Sequence, residues 1–104
     1  MPLPRPLAEC AAILRAQCAP ALPVHIRLAD LPGDRWADYT RCKRHHLIRL
    51  HRVASFNNPG LMCYLALHEW AHALANESDP REHDDHGPAF GEAYARCCRA
   101  YSLE

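Results

Sequence analysis

The chain has 104 residues, 49% of them hydrophobic and 23% charged, and its twelve basic and twelve acidic side chains cancel to zero net charge. These figures fit one domain spanning 1–104 and exclude a disordered or low-complexity chain. They also lack the basic excess of a typical nucleic-acid binder.

So short a chain buries a small core, and a bound metal would stabilise it. The unusual counts are eight histidines and six cysteines.

Leu7, Cys10, Leu14 and Cys18 recur every three to four residues, which predicts an N-terminal helix entered through Pro4 and Pro6 and left at Pro20. Val24, Ile26 and Leu28 alternate with His25 and Arg27 in the pattern of a half-buried strand. Pro32-Gly33-Asp34 is a turn. Two more strands are expected at Trp36–Cys42 and His46–Val53, joined by a Lys43-Arg44 turn, with Ile48 and Leu50 on one face of the second. Asn57-Asn58-Pro59 offers a cap and first turn for a helix over Leu61–Ala75, apolar all round and therefore expected to be buried. A polar, acidic loop follows over Asn76–Gly87. Pro88 opens a last helix whose inner stripe is Phe90, Ala93, Tyr94, Cys97 and Tyr101. The fold class is α+β: helix, three strands, helix, loop, helix.

The cysteines at 10, 18, 42, 63, 97 and 98 include no Cys-x-x-Cys pair. Glu9 and Arg15 interrupt the apolar N-terminal stretch, so no secretory leader is expected. No window reaches the ~18 uninterrupted apolar residues of a membrane span. The expectation is a reducing, cytoplasmic setting in which most thiols are buried small hydrophobes.

Residues 68–72 read His-Glu-Trp-Ala-His. Histidines four apart on a helix project side by side and suit two imidazoles converging on one zinc ion. Glu69 flanks the metal, where it can take a proton from bound water without occupying a coordination position. At this composition the pattern arises by chance only ~0.03 times. A catalytic zinc takes a third protein ligand. His86 is the best candidate, because Gly87-Pro88 fixes it at a helix mouth, whereas His83 lies free in the loop. Glu92 on the last helix is the rival, although it falls outside the apolar stripe. Asp84 and Asp85 are candidate acceptors for the ligand imidazoles. Tyr64, one turn before His68, is the best placed of four tyrosines to stabilise an oxyanion.

His-Glu-x-x-His followed by His-Gly-Pro-x-Phe resembles the SprT-like zincin metalloproteases, the family that includes the Spartan-type proteases of DNA–protein crosslink repair. The matching stretches are Leu67–Leu74 and His86–Phe90, and Leu47–Leu50 is similar to the family's strand ahead of the active-site helix. The resemblance implies a zincin-like fold, His68, His72 and His86 as zinc ligands, and Glu69 as general base. Ala89 stands where the family usually has an acidic residue. The expected form is a catalytic core without the zinc ribbon that many relatives carry.

The expected activity is zinc-dependent endopeptidase cleavage of a protein or peptide substrate. Alternatives are a regulatory zincin specific for one partner and a non-catalytic, zinc-stabilised binding module. Arg41, Lys43, Arg44, Arg49 and Arg52 form a basic run with no acid between them. That run gives DNA a possible but weak contact surface.

Overall fold

The computed structural model describes residues 2–80 and 86–102. Helix α1 spans Arg5–Gln17, with Pro6 in its first turn. It buries Leu7, Cys10, Ala11 and Leu14, one stripe at helical spacing. The Cys18 N–H closes it onto the Leu14 carbonyl at 2.8 Å.

Strands β1 (Val24–Ala29), β2 (Ala37–Arg41) and β3 (His46–His51) form one sheet in the order β1-β3-β2. The central β3 is parallel to β1 and antiparallel to β2. Val24, Ile26 and Leu28 pair with His46, Ile48 and Leu50, and period-2 alternation sends this set inward. His46, Ile48 and Leu50 are fully buried.

The strand expected to run to Val53 stops at His51, and Arg52–Asn57 turns instead into a short helix, α2. The reason is a local cap: the His51 ring accepts the Ala54 N–H at 3.2 Å, a stronger instruction than the strand preference of one Val.

Helix α3 spans Pro59–Ser78 and starts as the cap chemistry predicts, with the Asn58 side chain accepting from the Leu61 N–H. It runs about a turn beyond Ala75 because Glu77 has tertiary partners: its carboxylate accepts the Ala21 and Leu22 N–H groups at 2.6 and 2.9 Å. It is not buried all round. Leu61 and Tyr64 near its start are 43% and 58% exposed.

Trp70 is the largest fully buried side chain, and its indole N–H donates to the Cys18 carbonyl at 2.9 Å. Helix α4 spans Pro88–Ser102 and buries Phe90, Ala93 and Cys97. The core lies where α3 meets the inner sheet face, α1 and α4. No helix among the described residues is long and apolar enough to cross a membrane.

Candidate metal centre and cleft

His68 and His72 stand one turn apart on α3, their ring centroids 5.0 Å apart. His86 arrives from the mouth of α4, with its ring 5.1 Å from His68 and 5.2 Å from His72. Its position follows from the start of α4: Pro88 sets the first helical φ, and the Gly87 carbonyl accepts the Gly91 N–H at 3.0 Å. Nε2 of His86 lies 3.2 Å from Nε2 of His68. One nitrogen from each of the three rings lies within 4.8 Å of the other two, so these residues can hold a metal ion.

Phe90 closes the back of the cluster, 5.0, 4.6 and 4.8 Å from the three rings in turn. Burial, with the neighbouring His86, holds His68 below the ordinary imidazole range. That favours the neutral form a metal requires.

Glu69 is buried at 8% exposure. With His72 it lines an open cleft of about 340 Å³ whose other walls are Arg35, Ala37, Asp38 and Tyr39. The histidine cluster, through His72, and Glu69 are therefore brought together at the cleft.

The rival ligand Glu92 is exposed and lines a separate groove with Leu74, Glu77 and Arg96. Its place outside the apolar stripe carries it away from the imidazoles. His83, Asp84 and Asp85 lie outside the described residues.

Tyr64 does not border the cleft. Side chains on a helix lean toward its N-terminus, and Tyr64 meets Tyr101 edge-on, with ring centroids 6.1 Å apart. Two other tyrosines stand beside the site: Tyr94, whose ring meets His68 edge-on at 5.9 Å, and Tyr39 on the cleft wall, whose ring stacks on His72 at 6.1 Å. On the Tyr39 side a chain of contacts runs inward. The Tyr39 hydroxyl meets Nδ1 of His46 at 2.7 Å, and Nε2 of His46 meets Glu77 at 2.7 Å. Burial raises the Tyr39 phenol to about 12, so it stays protonated. The Tyr39–His46–Glu77 chain escaped the sequence reading. Its signal was a histidine in phase with Ile48 and Leu50 on the inward face of a strand.

Among the described residues, strand β2 pairs on one side only. Hydrogen-bonded pairs alternate along an antiparallel ladder. The His51 N–H donates to the Trp36 carbonyl at 2.8 Å and the Cys42 N–H to the His45 carbonyl at 2.9 Å. Between these ends, residues 38 and 40 face β3, and the backbone groups of Ala37, Tyr39 and Arg41 face the free edge beside the cleft.

No family model, curated protein or solved structure matches the chain.

Proposed function

We propose that the chain is a zinc-dependent endopeptidase of the SprT-like, zincin kind. The observation that carries this reading is the convergence of His68, His72 and His86 beside a buried Glu69 at the wall of an open cleft. A structural zinc site closes with four ligands and needs no base, whereas three imidazoles leave a position for water.

His68, His72 and His86 hold the zinc in this proposal. Zinc held there would supply Lewis acidity to a water and to the scissile carbonyl. Glu69 takes the water proton and returns it to the leaving amine. Tyr39 and Phe90 hold the ligand rings in place. The free edge of β2 receives an extended substrate as an added strand. Main-chain pairing of that kind is tolerant of sequence, so the substrate class is an unfolded or extended polypeptide.

The test is cleavage of casein by the zinc-loaded protein and by Glu69→Gln. The wild type is expected to cut. The variant should retain zinc and lose at least ~10²-fold in rate, the scale of general acid–base catalysis. Zinc binding with no cleavage by either protein favours the binding module instead, and equal cleavage by both removes Glu69 from the reaction.

A further inference from the structure

Four of the six cysteines lie in two facing pairs, and each pair joins α1 to another helix. Cys10 of α1 faces Cys63 of α3. The Cys10 Sγ is 4.0 Å from the carbonyl of Cys63 itself, the Cys63 Sγ donates to the Pro6 carbonyl one turn before Cys10 at 3.6 Å, and each thiol perturbs the other. Cys18, at the end of α1, faces Cys97 of α4. Its Sγ reaches the Arg96 carbonyl, next to Cys97 in the chain, at 3.8 Å, and the Cys18 thiol perturbs that of Cys97. All four side chains are 0 or 1% exposed.

The pairs do not form a four-thiolate metal centre. The group of three or more potential ligands found among the described residues is the histidine cluster.

We propose that Cys10 with Cys63, and Cys18 with Cys97, are two disulfide-forming pairs that fasten α1 to α3, which carries His68 and His72, and to α4, which begins beside His86. Each bridge makes one S–S bond from two thiols. Two protons and two electrons leave, and a small-molecule disulfide takes them up as it is cleaved to two thiols. A thiolate attacks that reagent, and its paired cysteine then resolves the mixed disulfide.

The timing follows from burial. In the folded chain burial, with the facing thiol, pushes Cys10 and Cys97 up to about 12, so attacking thiolates are scarce. The bridges therefore close as α1 docks, before burial is complete. Once closed, they are shielded from reductant. Cys42 and Cys98, both partly exposed, stay reduced.

The test is refolding of the reduced, denatured chain in a mixture of reduced and oxidised glutathione, followed by alkylation, intact mass and a non-reducing peptide map. The expected result is loss of four thiols, with Cys10–Cys63 and Cys18–Cys97 peptides recovered linked and Cys42 and Cys98 alkylated. The melting temperature should rise by roughly ten degrees or more over the reduced protein, since both bridges close long loops. Cys63→Ala and Cys97→Ala should each lose one bridge and keep the other. Six free thiols after refolding, or bridges in any other pairing, overturn the proposal. Recovery of one bridge alone overturns it for the missing pair.

Discussion

The Tyr39 hydroxyl lies 2.7 Å from Nδ1 of His46, so the strand bordering the cleft is tied to the fully buried centre of the sheet. His46 hands this tie on to Glu77 at the end of α3, the helix that carries His68, Glu69 and His72. Both walls of the cleft are thereby held in register by one imidazole.

Tyr39→Phe keeps the ring on His72 and removes the hydroxyl, leaving a buried nitrogen without its partner. The expected cost is about 1–3 kcal/mol of stability, with zinc content unchanged. Urea unfolding and metal analysis check it. Unchanged stability would mean that the hydrogen bond carries no weight in the fold.

Glu77 supplies a pH dependence. Burial alone would raise its carboxyl, but hydrogen bonds from the Leu22 N–H, His46 and the Ala21 N–H outweigh burial and hold it below the ordinary value of 4.5. A lowered folded-state pKa contributes stability that is complete above the unfolded value and fades as pH falls through the folded one. Glu77→Gln should therefore be less stable at pH 7 and decline less steeply below about pH 4.5. Thermal melts from pH 7 to pH 3 read this, and parallel curves for the two proteins would contradict it.

The ligand set is tested by metal content. His86→Ala should lose most of its zinc, while Glu92→Ala, whose carboxylate lines a different groove, should retain it. Chelation of the wild type should lower its melting temperature, because a ligand present at a thousandfold excess over Kd contributes roughly 4 kcal/mol to the folded state. Zinc retained in His86→Ala and lost in Glu92→Ala would replace His86 by Glu92 in the ligand set.

Duplex DNA should bind weakly and without sequence preference. Within the basic run, Arg49 is paired with Asp38, Arg52 with Asp30, and Arg41 donates to the Cys42 carbonyl and Asn76. Lys43 and Arg44 at the hairpin turn can neutralise only a few phosphates. Affinity that rests on neutralised phosphates falls by about 0.9 log units per phosphate for each tenfold rise in salt. Titration of labelled oligonucleotides at low salt and at 150 mM should show binding only at low salt. Submicromolar binding at the higher salt would restore a nucleic-acid role for this surface.

The residues that carry their own periodicity were legible in the sequence. The stripe of α1, the alternation of β1 and β3, and the i, i+4 histidines of α3 each state a local rule that the fold keeps. His86 was legible because Gly87-Pro88 writes a helix start beside it.

What escaped depends on partners distant in sequence. Glu77 reads as loop until Ala21 and Leu22 supply its donors, and that contact lengthens α3. His51 reads as strand until its ring caps α2. Tyr39 could be chosen over Tyr64 only once β2 was laid beside α3, which no local pattern specifies.

The central claim is that three imidazoles and an open position hold zinc beside Glu69, and X-ray absorption at the zinc edge of the purified protein tests it most directly. The expected spectrum contains one zinc per chain with three imidazole nitrogens and one further oxygen at about 2.0–2.1 Å. A protein that retains no zinc, or one whose zinc is bound by sulfur at about 2.3 Å, would contradict it.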